Sequence, residues 1–146
     1  MLLNIKAYIR KPEVAELISY TVFPDDQSVE KAISQYENQD NMQLYGFEDQ
    51  ELLIGLIGFE RSEDSLIIHH IAVIPENRGI GYGRGMILEL MTDQKPLRVI
   101  AETDEESVQF YRNIGFEVQS LGELFPGVER FRCVYEIEDE NNIDNA

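Results

Sequence analysis

Apolar residues along the chain change their spacing from segment to segment, and the spacing predicts the elements. Leu2 to Ile9 has an apolar, strand-like composition. Pro12 suits a helix start, and Val14, Ala15, Leu17 and Ile18 then form one apolar face. A second helix begins at Asp26 or Ser28, with Val29, Ala32, Ile33 and Tyr36 on one side. Asn38 to Asn41 is polar and reads as a loop. Met42 to Glu48 and Leu52 to Glu60 read as a hairpin with its turn at Glu48-Asp49-Gln50-Glu51. Gly55 and Gly58 either weaken the second of these strands or let something approach its backbone closely. Leu66 to Ile74 is nearly continuous in apolar residues, as expected of a strand covered on both faces.

Pro75 ends that strand, and a glycine-rich stretch from Asn77 to Gly85 runs into a helical pattern over Met86 to Met91. Leu97 to Thr103 predicts another strand, with Asp104 as N-cap of a helix over Glu105 to Asn113 and Gly115 as its terminator. Phe116 to Leu121 and Arg130 to Glu138 are the last two strands; Phe131, Cys133, Tyr135 and Ile137 alternate inward in the latter. The order is β α α β β β α β α β β, a mixed α/β domain spanning residues 1–146 with a frayed acidic tail over 138–146. No repeat or linker divides it.

Composition narrows the function classes. The chain has 146 residues, with 28 Asp and Glu against 12 Lys and Arg, a formal charge of −16. The 43% hydrophobic content is enough for a core, so the acidity does not signal disorder. The charge argues against nucleic acid and against an anionic membrane surface. No apolar run approaches the roughly 20 residues of a spanning helix. Asn4 and Lys6 break the N-terminus too much for a signal sequence. The one cysteine, Cys133, rules out an intramolecular disulfide and a multi-cysteine metal site, and points to the reducing cytoplasm.

A strand, a glycine-rich turn and a helix together make a phosphate-binding arrangement. Glycines permit positive φ and close approach, and successive N–H groups converge at the positive end of the helix dipole. A P-loop needs a lysine, and none lies between Lys31 and Lys95. The glycines at 79, 81, 83 and 85 also miss the dinucleotide fingerprint. Arg-x-x-Gly-x-Gly fits, carried by Arg78, Gly81 and Gly83.

Ile71-Ala72-Val73-Ile74-Pro75-Glu76-Asn77-Arg78-Gly79-Ile80-Gly81-Tyr82-Gly83 resembles the acetyl-CoA motif of the GNAT N-acetyltransferases. Asp104-Glu105-Glu106-Ser107-Val108-Gln109-Phe110-Tyr111-Arg112-Asn113-Ile114-Gly115-Phe116 resembles a second family segment, Asn-x-x-Ala-x-x-Phe-Tyr-x-x-x-Gly-Phe. Asp104 and Ser107 depart from that family's Asn and Ala. The resemblance covers most of the chain and is weakest before Met42. It implies a mostly antiparallel mixed sheet with two splayed parallel central strands, flanked by helices. The pantetheine arm of acetyl-CoA would lie between Leu66–Ile74 and Leu97–Thr103. Main-chain groups of Ile71, Ala72 and Val73 would meet it, and Ser107 and Tyr111 are further cofactor-binding residues that the resemblance implies. Backbone N–H groups of Gly79, Ile80, Gly81, Tyr82, Gly83 and Arg84 would hold the pyrophosphate, with charge added by Arg78 and Arg84.

The implied reaction is direct attack of an amine on the thioester in a ternary complex. An amine with a pKa near ~10.4 costs about 4–5 kcal/mol to deprotonate at pH 7, so a base or a desolvated pocket is needed. The oxyanion needs a donor, which the family supplies from a backbone N–H near Val73. The departing thiolate benefits from a proton donor. Tyr111 matches the family tyrosine that often plays this part; the alternative is a core aromatic, or a hydroxyl that only orients the sulfur. Four options compete for the base: His69, which matches a position that carries a catalytic histidine in some relatives; His70; Glu102; and a water chain with no single base. His70 is its neighbour on the opposite face of the strand, so at most one of the two faces a given cleft. Cys133 reads as core.

Three functions fit. The first is acetylation of a small cationic amine such as a polyamine, aminoglycoside or amino sugar. The second is acetylation of a protein N-terminus or lysine, and the third is a non-catalytic acyl-CoA-binding module. The partners expected are a small-molecule amine, neither nucleic acid nor membrane, and the chain is a monomer or homodimer. The charge distribution agrees with a phosphate ligand. Asn77 to Leu88 holds two arginines and no carboxylate. Glu136 to Ala146 holds five carboxylates and no cation, so the rest carries −16 + 5 = −11.

Overall fold

A computed structural model of the chain describes residues 1–23 and 25–137. Eleven regular elements follow the expected order: β1 (Leu2–Asn4), α1 (Pro12–Ser19), α2 (Asp26–Asn38), β2 (Met42–Asp49), β3 (Leu52–Ser62), β4 (Ser65–Val73), α3 (Tyr82–Gln94), β5 (Arg98–Asp104), α4 (Val108–Ile114), β6 (Glu117–Phe125) and β7 (Val128–Glu136). The strands form a seven-stranded sheet in the order β1-β2-β3-β4-β5-β7-β6. The β4–β5 ladder is parallel, while β1–β2, β2–β3, β5–β7 and β6–β7 are antiparallel. This is the mixed, mostly antiparallel α/β fold the sequence predicts. Among the described residues, no helix is long and apolar enough to cross a membrane. The expected acidic tail over 138–146 lies outside the described residues.

The chain divides into two units. The first holds Met1–Glu60 and His69–Gln94. Its core joins α1 and α2 to the strands through Val14, Leu17, Ile18, Ile33, Tyr36, Leu44 and Leu56. Asp25 caps α2, its Oδ1 accepting from the Ser28 N–H at 2.8 Å. Leu2 to Ile9 is not one strand. After Asn4 the chain turns into a 3-10 segment over Lys6–Tyr8, because Asn4 Oδ1 accepts from the Lys6 N–H at 3.0 Å. Ile5 and Ile9 are buried but Ala7 between them is exposed, whereas a strand would bury all three on one face. Lys6 Nζ in turn donates to the carbonyls of Gln39 and Met42, where α2 hands over to β2.

Gly55 and Gly58 sit in β3 because the backbone there is crowded. A Cβ on Gly58 would lie 1.6 Å from the Tyr36 hydroxyl, and one on Gly55 would lie 2.7 Å from the Ala72 carbonyl. α3 begins at Tyr82, four residues before the apolar pattern starts, with the Gly85 N–H donating to the Gly81 carbonyl at 2.9 Å.

The second unit holds Arg61–Ile68 and the residues from Lys95 onward. The parallel ladder there runs from Ser65–Arg98 to Ile68–Ala101. β5 continues against β7, with Glu102 opposite Arg132 and Asp104 opposite Arg130. Leu66, Val99, Ala101, Tyr111, Phe116 and Cys133 are buried, so Cys133 is a core residue. Asp104 is not the cap of α4. It belongs to β5, and its Oδ1 accepts from the Glu106 and Ser107 N–H groups at 3.0 and 3.2 Å. That bonding closes a turn first, and α4 starts later, at Val108, after Ser107. Gly115 ends α4 at φ 117°, and the Phe116 N–H reaches back to the Tyr111 carbonyl at 3.1 Å. β6 and β7 reach Phe125 and Val128, beyond the expected Leu121 and Arg130. Their tips are exposed even though they carry Leu124, Phe125 and Val128, so no alternation of buried and exposed positions marks them as strand.

Candidate active site

The first unit carries the phosphate cradle. Burial alternates along β4: Leu66, Ile68 and Ala72 are buried, while Ile67, Ile71 and Val73 are half-buried and His69 is exposed on the other face. The Ile74 N–H donates to the Ile54 carbonyl at 2.8 Å, and a 3-10 turn over Pro75–Asn77 leads out of the strand. Gly79 and Gly81 have φ of 79° and 99°, and space is open where a Cβ would stand on either. No hydrogen bond joins the backbone N–H groups of Gly79, Ile80, Gly81, Tyr82, Gly83 or Arg84 to any described residue. Six successive donors at a helix start, with left-handed glycines and no carboxylate among them, fit a pyrophosphate.

Two side chains brace the cradle. Arg78 Nε donates to the Val73 carbonyl at 2.8 Å, and its guanidinium lies 4.9 Å from the centre of the Tyr20 ring. Arg78 therefore ties the turn to the end of β4, and it occupies one acceptor site of a carbonyl expected to serve pantetheine. Tyr82 packs against Phe47 with ring centres 5.6 Å apart. Arg84 is exposed at the first turn of α3.

The two histidines have opposite environments. His70 is largely buried and its Nδ1 accepts from the Tyr36 hydroxyl at 2.5 Å. Burial, with a smaller contribution from His69, pushes its pKa down to about 4. It is a satisfied core residue, held neutral. Burial also raises the Tyr36 phenol above its ordinary range. His69 points the other way, and its Nε2 lies 2.8 Å from Glu60 Oε1 on β3. Asn41 Nδ2 donates to the other Glu60 oxygen at 2.7 Å. Neither Glu60 nor Asn41 is marked by any motif. The signal was positional: a carboxylate late in β3, one hairpin away from a histidine in an apolar strand.

The second unit carries Tyr111, Ser107 and Glu102. Tyr111 is 4% exposed, packed edge-on against Phe110 and Phe116. Burial, and then the nearby Cys133, raise its pKa, so the phenol stays protonated at neutral pH. Its hydroxyl makes no hydrogen bond to a described residue. Ser107 is exposed and makes no side-chain cap bond. Glu102 is exposed on β5 without a hydrogen-bond partner among the described residues.

The mixed α/β fold carries in its first unit a glycine-rich helix start whose open N–H groups suit a phosphate-bearing ligand. The chain matches the model of an acetyltransferase (GNAT) domain over residues 9–131, and it belongs to the GNAT acetyltransferase family, whose members use acetyl-CoA. It is 32% identical over 91 residues to the uncharacterized N-acetyltransferase in the lysA 3' region of Bacillus methanolicus, covering 62% of this chain and 76% of that protein. Its fold matches an aminoglycoside 6'-N-acetyltransferase complexed with coenzyme A at a TM-score of 0.78 and 14% identity, covering 96% and 98% of the two chains. It also matches the ribosomal-protein-S18-alanine N-acetyltransferase of Escherichia coli at 0.72 and 14%, covering 97% of each.

Proposed function

We propose that the chain moves an acetyl group from acetyl-CoA to the primary amine of a small cationic molecule, by direct attack in a ternary complex. The row of six unpaired N–H groups from Gly79 to Arg84 is the observation that carries this reading. These groups hold the pyrophosphate, and main-chain groups of Ile71, Ala72 and Val73 meet the pantetheine. When bound, acetyl-CoA supplies a thioester carbonyl open to an unprotonated amine. His69 takes the amine's proton. It is exposed and it is oriented by a partner. Glu102 is the weaker choice, because nothing holds its carboxylate in one position. Tyr111 keeps its proton at neutral pH and offers it to the departing sulfur.

Thiol release from acetyl-CoA across polyamines, aminoglycosides, amino sugars and peptides tests the reading. Turnover is expected with a polycationic small molecule, and Tyr111→Phe is expected to lower kcat by about 10²-fold. Turnover with peptides alone moves the acceptor to a protein N-terminus or lysine. Tight acetyl-CoA binding without any turnover makes the chain a non-catalytic module. Failure to bind acetyl-CoA overturns the reading.

A further inference from the structure

We infer that Glu60 is a positioning residue for His69, anchored in turn by Asn41. The inference rests on the reading of His69 as the base. Its geometry is independent of the cofactor, because all three residues belong to the first unit.

A neutral imidazole carries one proton, and its usefulness as a base depends on which nitrogen holds it. Nε2 of His69 faces Glu60 Oε1 at 2.8 Å. An ionised carboxylate only accepts, so Nε2 carries the hydrogen. That leaves the Nδ1 lone pair as the proton acceptor. When Nδ1 takes a proton the ring becomes cationic, and the Glu60 carboxylate already lies against the charge that develops.

Glu60 needs an anchor of its own, since its carboxylate can rotate. Asn41 provides one by donating to Oε2 at 2.7 Å. Asn41 immediately precedes Met42, which is the register partner of Glu60 in the β2–β3 ladder. Backbone pairing therefore sets the anchor, and the chain Asn41, Glu60, His69 runs from the turn before β2 across β3 to β4. The titratable groups placed against His69 are Glu60 from β3 and, next to it on β4, His70. His70 is turned to the core by Tyr36 and does not compete for the carboxylate.

Long-range proton–nitrogen spectra of the two imidazoles read this arrangement without an acceptor, and the chain has only two histidines to assign. Wild type is expected to show neutral His69 almost wholly as the Nε2–H tautomer. Glu60→Gln is expected to mix the tautomers and to lower kcat about tenfold, with the KM for acetyl-CoA unchanged. Glu60→Asp should recover part of both, and Asn41→Ala should give a milder version of the Glu60→Gln result. Equal thermal midpoints for the variants exclude a folding defect as the cause. If Glu60→Gln leaves tautomer and kcat as in wild type while His69→Gln is slow, the positioning role is overturned and the base assignment survives. If His69→Gln turns over as fast as wild type, the base assignment falls and this inference falls with it.

Discussion

His70 shows how a single side chain in an apolar strand can be made safe. Neutral imidazole costs little to bury when one nitrogen has a partner, and the Tyr36 hydroxyl supplies it. Gly58 makes the room, since any Cβ there would overlap that hydroxyl. The arrangement has a pH consequence. The folded pKa lies near 4, below the ordinary 6.5. The neutral form is therefore favoured in the fold, and its contribution is whole above pH 6.5. It is lost as pH falls from 6.5 to about 4, at a cost of about 3 kcal/mol. Denaturant midpoints measured across that window should fall more steeply for wild type than for His70→Asn, which keeps an acceptor near Nδ1 but does not titrate there. Parallel curves would mean that His70 is not held neutral by its surroundings. Two adjacent histidines in an apolar strand were legible as a choice between faces. Which face each takes is decided by Tyr36, 34 residues before His70, and by Glu60 across a hairpin; the pattern of α2 marks Tyr36 only as core, and Glu60 carries no pattern of its own.

At the scale of elements, the glycine-rich turn was legible because its chemistry is local. Positive φ at Gly79 and Gly81 and the Arg78 spacing follow from consecutive residues. The start of α3 was not legible, since Gly83 and Gly85 disfavour helix and only the bond from Gly85 back to Gly81 sets it there. The early end of β1 was not legible for a similar reason. Leu2 to Ile9 is apolar enough for a strand, but a side-chain bond at Asn4 turns the chain before propensity decides. Glycines within the turn should separate by role. Gly81→Ala adds a Cβ at φ 99°, into open space that a phosphate would occupy. It should cost about 1–2 kcal/mol of stability through backbone strain, and raise the KM for acetyl-CoA about tenfold with little change in kcal-scale barrier or kcat. Gly85→Ala also meets open space but lies in the helix, so it should stabilise by up to about 1 kcal/mol and leave that KM in place. Equal KM values for the two variants would detach the cradle from the cofactor.

At the scale of the whole chain, a charge of −16 sits beside a locally cationic turn. The two substrates of the proposed reaction carry opposite signs, so the field of the protein should treat them differently. A polyamine is drawn toward the carboxylates over a distance set by the Debye length, about 30 Å at 0.01 M salt and about 10 Å at 0.1 M. On the proposed reading, acetyl-CoA would be repelled at long range and held by the short-range N–H groups and arginines of the turn. Added salt should therefore weaken the first attraction and relieve the second repulsion. Between about 0.01 M and 0.3 M salt at fixed pH, the KM for a polyamine acceptor should rise severalfold, while the KM for acetyl-CoA holds or falls. A neutral-pH titration of both constants over that range distinguishes a guiding field from a charge that only keeps the protein in solution. In the second case the polyamine KM stays flat. A fall in the polyamine KM with salt would count against a cationic acceptor altogether, because it would place the acceptor site in positive potential despite the acidity of the chain.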